Sequence, residues 1–455
     1  LFIFVTSMSP LEKRTISALA LIYALRMFGL FMVLPVLALY GSQYQGATAT
    51  LVGIAIGAYG LTQAMLQLPF GAWSDRIGRK PVILVGLILF SLGSALAAMA
   101  DNIWMLILGR ALQGAGAVAS TLMALMTDLT REENRTKAMA SIGASIGLSF
   151  TLAMVAGPVL AAWLGLSGLF VLTAILSLGA IVLLYTAVPT PTQQVRSRDA
   201  RAFFHQLIDV MADRQILRIS YGIFALHAVL VGTFVAVPVA LLQSGMAQVE
   251  HWKVYLPVMI SAFIVMVPFI IVAEKYKKMK PVLMLAVALL VASVACLALG
   301  IDSLTGLIMA LWLFFLAFNI LEASLPSLIS KFAPAGFKGS AMGLYSTSQF
   351  LGAFIGGVLG GYLSEHMSLA GVFWGLMPLL LVWFGLVATM AKPKHLTSYM
   401  VNLNNQDQDS SIELENKLLA LPGVDEVVIM LKEQAAYLKV DNKTFDPTKL
   451  KLLNI

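Results

Sequence analysis

Ionisable and amide side chains interrupt several long apolar stretches of the sequence, at Arg26, Arg110, Gln113, His227 and Glu322. Charge is costly in such surroundings, so each of these residues is a candidate for function. Histidine changes charge near neutral pH, and a carboxyl group can take up and release a proton. Because Glu322 is the only acid well inside the apolar segments of the second half, it is the leading proton carrier. Arginine does not deprotonate in proteins, so Arg26 is expected to be a counter-charge or an anion partner.

Other roles remain open for these residues. Glu322 could pair permanently with a cation, and His227 could be a histidine of the core with its hydrogen bonds satisfied. Arg110 and Gln113 lie one turn apart and share a helix face. Arg110 is about seven residues from the predicted start of its helix, so its side chain could also extend to the membrane surface.

The most specific motif is the loop Gly71-Ala-Trp-Ser-Asp75-Arg76-Ile-Gly78-Arg79-Lys80-Pro81. Two long helices are joined here by very few residues, and Gly78 is suited to a left-handed turn. Asp75 lies at the end of its helix, where its charge opposes the helix dipole. It would be stabilised by the N-terminus of another helix or by a guanidinium group. The alternative interpretation is a simple basic loop.

Gly157-Pro158 forms a second small motif, preceded by small residues four apart. Small residues at this spacing allow close contact with another helix. Pro158 removes a backbone hydrogen bond and predicts a kink. The motif fits either general helix packing or a specialised role.

The composition shows what kind of chain carries these residues. Of its 455 residues, 59% are hydrophobic and 12% are charged, and the mean hydropathy is +0.87. A single cysteine, Cys296, excludes a disulfide framework. The sequence has no nucleotide-binding glycine loop, no nucleophile with its base and no metal-ligand cluster. We therefore predict a membrane protein that is not an enzyme, with no cofactor, no metal site and no nucleic-acid partner.

Apolar stretches of membrane-spanning length predict twelve transmembrane helices. They cover 16–40, 48–73, 81–100, 103–127, 137–163, 165–188, 216–243, 252–273, 281–300, 303–330, 338–364 and 369–391. We predict an N-terminal six-helix bundle over 11–188 and a C-terminal bundle over 216–394. The connection 189–215 contains an apolar pattern over 203–212 that is typical of a helix on the membrane surface.

The distribution of basic residues predicts the orientation of the spans. With the N-terminus inside, the inner loops hold 21 Lys and Arg residues and the outer loops hold one, Lys253. Positive residues accumulate on the cytoplasmic side, so both termini are expected in the cytoplasm.

The two halves resemble each other at an offset of about 200 residues. Pro81 matches Pro281, each opening the third span of its half, and Gly157-Pro158 falls on Gly360-Gly361. Halves of this kind run parallel and surround a central path.

The last residues, 399–455, have the composition of a soluble domain, with six basic and nine acidic residues. The pattern predicts strands over 399–403, 425–431 and 435–440, a helix over 412–421 and another after Asp446-Pro447. This order is that of a small ferredoxin-like domain. The fold class is thus an all-α polytopic membrane protein of two six-helix halves with an α+β C-terminal domain.

The loop from Gly71 to Pro81 resembles the signature between spans two and three of the major facilitator superfamily, drug:proton antiporter type. The resemblance implies that Asp75 engages span eleven and locks an outward-open state, and that Arg79 pairs with Asp128. The corresponding loop of the second half, 273–281, lacks the glycines. An equivalent interaction is therefore not expected there.

Two further motifs resemble those of the same family. Arg110-Ala-Leu-Gln113-Gly114 is similar to a span-four motif associated with proton transfer. The segment around Gly157-Pro158 resembles the antiporter motif, with Ala161-Ala162 in place of its closing glycines. The tail resembles heavy-metal-associated domains at 421–427. The segment 404–410 stands where that family has C-x-x-C, and it contains no cysteine, so a thiolate site for a soft metal is not expected.

The resulting prediction is a secondary transporter of the bacterial inner membrane that exports a small organic solute against an inward flow of protons. The alternatives are a nutrient symporter, a facilitated uniporter, or a transporter-like sensor that signals through the tail. The expected partners are protons, a small solute and the lipid bilayer. The tail is a candidate for self-association or regulation.

Overall fold

The protein is described from a computed structural model that covers residues 8–190, 207–334, 337–393, 396–403, 408–430, 435–441 and 444–446. Helices dominate the described residues up to position 390, and a three-stranded sheet follows them. Part of the predicted surface helix, 203–206, lies outside the described residues, whereas 207–212 is helical.

Helices of the first half follow the apolar segments of the sequence. They are α1 (Pro10–Phe31), α2 (Leu34–Tyr40), α3 (Ala49–Ile77), α4 (Arg79–Ala98), α5 (Ile103–Ala115), α6 (Ala119–Asp128) and α7 (Glu132–Thr186). The first span is divided into α1 and α2 just before Pro35, which cannot donate a backbone hydrogen bond. Helix α7 carries spans five and six and bends at Gly165, whose φ of 68° suits glycine.

Helices of the second half are less interrupted. They are α8 (Arg214–Gln243), α9 (Trp252–Glu274), α10 (Met279–Gly300), α11 (Leu304–Phe332), α12 (Lys338–His366) and α13 (Leu369–Ala388). Among the described residues, ten helical stretches are long and apolar enough to cross a membrane. The stretch in α7 has 50 residues, enough for two crossings, and α12 is too rich in glycine and polar residues to qualify. These helices confirm the predicted fold class.

The two ends of the bundle differ in charge. The end that carries Asp75, Arg79 and Lys280 is called the basic end below, and the end that carries Thr48 and Glu365 is called the far end.

The second half has one large apolar core that includes Phe314 and Trp383. At the far end, Val231 and Val235 of α8 pack into a core of the first half. The two halves are therefore in close apolar contact at the far end.

Basic residues at the basic end bind the carbonyl groups that follow the last helix turn of each half. In the first half, Lys80 Nζ donates to the Val188 carbonyl at 2.5 Å. In the second half, Lys280 Nζ donates to the Met390 carbonyl at 2.6 Å. Free carbonyl groups at a helix C-terminus carry partial negative charge, so a lysine is stabilising there.

One arginine near the start of each half repeats this arrangement. Arg14 Nη2 donates to the Thr186 carbonyl at 2.6 Å, and Arg218 Nη1 donates to the Thr389 carbonyl at 2.7 Å. The sequence offset of about 200 residues thus corresponds to repeated contacts in space. These residues help to close each six-helix half in addition to setting the charge of the basic end.

The tail forms β1 (Thr397–Asn402), α14 (Gln408–Leu419), β2 (Val424–Met430) and β3 (Ala435–Val440). The strands are antiparallel in the order β1-β3-β2, and Leu418 and Leu438 lie in their core. This order confirms the predicted small α+β domain. The helix expected after Asp446-Pro447 and the loop segment 404–407 lie outside the described residues.

Candidate functional site

Arg26 lies at the centre of a polar network in the first half. Its side chain is buried, and its Nη2 donates to Tyr59 Oη at 2.7 Å, Gln63 Oε1 at 2.8 Å and the Gly116 carbonyl at 3.1 Å. The Gly116 carbonyl is available because the helix breaks between α5 and α6 at that residue. The ring of Phe90 lies 5.5 Å from the guanidinium carbon. These partners are neutral, so hydrogen bonds and aromatic contact stabilise the guanidinium group without an acidic partner.

Arg110 and Gln113 form a second network in the first half. Arg110 Nη1 donates to Gln113 Oε1 at 2.7 Å, and Gln113 Nε2 donates to Ser94 Oγ at 2.7 Å. Arg110 Nε also donates to the Ala55 carbonyl of α3 at 3.3 Å. The side chain of Arg110 therefore lies in the protein interior and links α5 to α3 and, through Gln113, to α4.

His227 and Glu322 lie together in the second half. The distance from His227 Nε2 to Glu322 Oε2 is 4.0 Å, and Gln349 Nε2 lies 2.8 Å from His227 Nε2. On the other side of the ring, His227 Nδ1 lies 3.3 Å from the Ile223 carbonyl. Glu322 Oε2 is shielded from solvent and accepts no hydrogen bond from the part of the chain that is described. Three helices, α8, α11 and α12, thus supply an imidazole, a carboxyl group and an amide to one cluster.

An aromatic layer connects this cluster to the first half. The rings of Phe31 and Phe150, from α1 and α7, are 4.9 Å apart, and Phe150 stacks on Phe318 of α11 at 6.2 Å. Phe318 in turn lies 6.1 Å from the His227 ring. The sequence did not single out these phenylalanines, because scattered aromatic residues are common in membrane spans. The layer provides apolar, polarizable surface where the two halves meet.

The loop signature forms a compact ionic cluster at the basic end. Arg79 pairs with Asp75, its Nε lies 3.0 Å from Asp128 Oδ2, and its Nη1 donates to Ser74 Oγ at 2.7 Å. Gly78 has a φ of 100°, a backbone conformation that favours glycine. Arg76 is exposed. The guanidinium group thus joins the end of α3 to the end of α6.

The second half has an ion pair at the corresponding place, with the charges exchanged. Lys331 Nζ, at the end of α11, lies 2.8 Å from Glu274 Oε2, at the end of α9. Ser327 Oγ also donates to Glu274 Oε1 at 2.6 Å. This pair was not predicted from the sequence, because the residue types at its two positions differ from those at the corresponding positions of the first half.

Gly157 lies against the break in the first span. A Cβ atom at Gly157 would be only 2.5 Å from the Met32 carbonyl oxygen, where α1 ends. Pro158 follows inside α7. This motif therefore allows α7 to approach the interrupted first span closely.

The predicted residues form separate groups, one with Arg26, one with Arg110 and Gln113, one with His227 and Glu322, and one with Asp75, Arg79 and Asp128. Within the described residues, no group of three or more His, Cys, Asp or Glu side chains is placed to hold a metal ion.

A fold of two related six-helix halves with titratable and aromatic groups between them defines a membrane transporter architecture. The Major Facilitator Superfamily model matches residues 19–357 and 280–399, and the chain belongs to that superfamily. Residues 403–449 match the YajR YAM domain.

Three comparisons illustrate the relationship. The chain is 48% identical over 436 residues to the inner membrane transport protein YajR of Escherichia coli (strain K12), covering 96% of each chain. It is 29% identical to the multidrug resistance protein MdtH of Aeromonas hydrophila, covering 78% of this chain and 89% of that one. The structure of a D-xylose-proton symporter superposes with a TM-score of 0.69 at 15% identity, covering 84% of this chain and 98% of that one.

Proposed function

We propose that this transporter exports a small organic solute in exchange for protons that enter the cell. The observation that carries the proposal is the His227–Glu322 pair beside the aromatic layer where the halves meet. A carboxyl group and an imidazole can exchange protons, and the neighbouring rings offer a surface for an apolar solute. The similarity to a multidrug resistance protein supports export.

The available driving force is sufficient for such an exchange. One elementary charge that crosses 100 mV contributes about 2.3 kcal/mol. Each pH unit of gradient contributes about 1.36 kcal/mol per proton. The two six-helix halves would rock against each other and expose the central site to one side at a time.

The experiment that tests this proposal uses purified protein in proteoliposomes with an imposed pH gradient. Cationic, neutral and anionic solutes are screened for proton-coupled counterflow. Glu322→Gln should abolish coupling, because the amide cannot carry a proton. Glu250→Gln serves as the matched control, since Glu250 is half-exposed at the far end and bonds Lys253.

The pH gradient should dissipate when a transported solute is added to the native protein and to the control, and not with Glu322→Gln. Equal dissipation by all three proteins would remove Glu322 from the coupling mechanism. Solute movement in the direction of the protons would support the alternative of symport.

The tail domain is proposed to regulate the transporter. Lys439 of β3 is buried, pairs with Glu426 at 3.0 Å and donates to the Lys331 carbonyl at 3.4 Å. A cavity of about 470 Å³ between the tail and the second half is lined by Lys277, Pro393 and Asp441, among others. The tail therefore sits against the ends of α9 and α11, where it can respond to movement of the second half.

A further inference from the structure

At the far end, Glu365 of α12 binds the first turn of α3. The Thr50 backbone amide donates to Glu365 Oε2 at 2.8 Å. The first amides of a helix have no partner within it, and they carry partial positive charge. Because α3 belongs to the first half and α12 to the second, this carboxylate joins the two halves.

A glycine seam brings the same two helices into backbone contact below this bond. A Cβ atom at Gly53 would lie 2.2 Å from the Gly357 carbonyl oxygen, and one at Gly361 would lie 2.4 Å from the Ala49 carbonyl oxygen. One turn further, a Cβ atom at Gly57 would be 2.7 Å from the Phe354 carbonyl oxygen. Side chains larger than hydrogen would force the helices apart here. Glu365 reaches Thr50 only because the seam is closed.

Toward the basic end the two helices stay in contact, since a Cβ atom at Gly343 would lie 2.7 Å from Leu68 Cδ2, but this contact is made by a side chain. A Cβ atom at Gly71 would lie 3.5 Å from Ser120 Oγ, which belongs to the same half. Asp75 pairs with Arg79 of its own loop. The first turn of α12, which follows Phe337, has no side-chain cap among the described residues. Among the described residues, a bond between an acid of one helix and the first turn of the other is thus found at the far end and not at the basic end.

We propose that Glu365, the first turn of α3 and the glycine seam form a latch that holds the far end shut. The proposal rests on the alternating-access function given above and deepens it. When the far end opens, the seam separates and the Glu365 carboxylate leaves the Thr50 amide. The family resemblance implies that Asp75 engages span eleven, which is α12, at the basic end. Each of the two helices then offers an acid to the first turn of the other, at opposite ends of the bundle.

The latch predicts that removing either partner opens the far end more often. Glu365→Gln removes the negative charge with little change of shape. Thr50→Pro removes the donating amide, at a first-turn position where proline is tolerated. A carboxylate at an exposed helix N-terminus shifts an equilibrium about two- to five-fold. Each variant should increase the open fraction by that factor, and the double variant should fall short of the product of the single effects, because both variants lose the Thr50–Glu365 bond.

The measurement uses the full chain in lipid nanodiscs, with Cys296→Ala and a reporter cysteine, Val235→Cys. Val235 is buried between the halves at the far end. Its labelling rate with a water-soluble maleimide reports opening of that end. Spin labels at positions 43 and 243, both exposed at the far end, give the distance distribution as a second readout. Neither readout requires transport or a proton gradient, so failure of the antiport proposal would leave the result interpretable.

Matched controls separate the latch from general loosening. Glu250→Gln removes a far-end acid whose partner Lys253 lies in the same half. Gly147→Ala adds a methyl group where nothing lies within 4 Å, whereas Gly357→Ala adds one inside the seam. We expect faster labelling for Glu365→Gln, Thr50→Pro and Gly357→Ala, and native rates for both controls. Native labelling and native distances in Glu365→Gln would overturn the proposal, as would multiplied effects in the double variant.

Discussion

At the scale of single residues, the buried arginines are tied to neutral partners. Arg26 donates to a phenol, an amide and a backbone carbonyl. Arg26→Met would leave Gln63 and the Gly116 carbonyl without their charged donor. Because hydrogen bonds to charged groups contribute about 1.5–3 kcal/mol, we expect a loss of that order in the free energy of unfolding. Thermal or denaturant unfolding in detergent measures it.

Arg76→Gln is the control for this measurement, since Arg76 is exposed in the loop. Its stability should remain within about 0.5 kcal/mol of the native protein. If the Arg26→Met variant has the native free energy of unfolding, water or lipid replaces the hydrogen bonds of Arg26 at little cost in stability.

Phe150 allows a second test at this scale, because it spans the junction between the halves. Phe150→Ala removes the ring between Phe31 and Phe318. Aromatic contacts contribute about 0.5–1.5 kcal/mol each, so the KM for a transported solute should rise about two- to ten-fold. Phe263→Ala is the control, because Phe263 is 56% exposed on the surface of α9. Counterflow at varied solute concentration gives the KM, and equal values for both variants would remove the layer from the solute site.

The sequence identified the unusual residues of this site but not their partners. Arg26, Arg110, His227 and Glu322 were found because charge within apolar runs is rare. Gln349 and the Gly116 carbonyl could not be found in that way. The Gly116 carbonyl can accept from Arg26 because a helix breaks at that residue. Gln349, which contacts His227, is 122 residues away in the sequence.

At the scale of elements, lysines stabilise the last helix of each half. Lys280 Nζ donates to the Ala388 carbonyl at 2.9 Å and to the Met390 carbonyl at 2.6 Å. Lys280→Gln removes the charge that these carbonyl groups attract, and we expect a loss of about 1–2 kcal/mol in unfolding free energy. Lys275→Gln changes an exposed lysine of the neighbouring loop and should have little effect. Unfolding curves of the two variants measure this loss, and equal curves would contradict the role of Lys280 as a helix cap.

The exchanged ion pair gives a further prediction for elements. Glu274 and Lys331 connect α9 with α11. Glu274→Lys and Lys331→Glu should each destabilise the protein, and the double exchange should recover part of the loss. The coupling free energy should be about 0.2–1 kcal/mol, because Glu274 is partly exposed. A double-mutant cycle measures it, and strictly additive effects would show that the pair does not couple the helices.

The positions of most helices could be predicted from the lengths of the apolar stretches and from the glycine and proline residues that interrupt them. The break between spans five and six was predicted at residue 164, and the bend occurs at Gly165. Two interruptions were not predicted, at residues 32–33 and 116–118, because both lie inside continuous apolar runs. These breaks expose backbone carbonyls to tertiary partners, which a periodicity argument does not detect.

At the scale of the whole molecule, the sequence predicted two parallel halves and a separate tail, but not which end of the bundle is closed. Hydropathy and charge are the same in every state of a transporter. Closure depends on contacts between α3 and α12, whose glycines meet across more than 300 residues of sequence. The attachment of the tail is similar, since Lys439 donates to a carbonyl group 108 residues away in the sequence.

The position of the tail against the second half gives the last prediction. Lys439 is 6% exposed, lies 3.0 Å from Glu426 and donates to the Lys331 carbonyl. Lys439→Met keeps the aliphatic stem but removes the charge that reaches α11. Spin labels at the exposed positions 276 and 417 should then show a broader distance distribution, because the domain loses a polar contact with the bundle. Glu415→Gln, on α14, should leave the distribution unchanged. If regulation passes through this contact, Lys439→Met should also alter the transport rate, whereas a broadened distribution with a native rate would confine Lys439 to attachment of the domain.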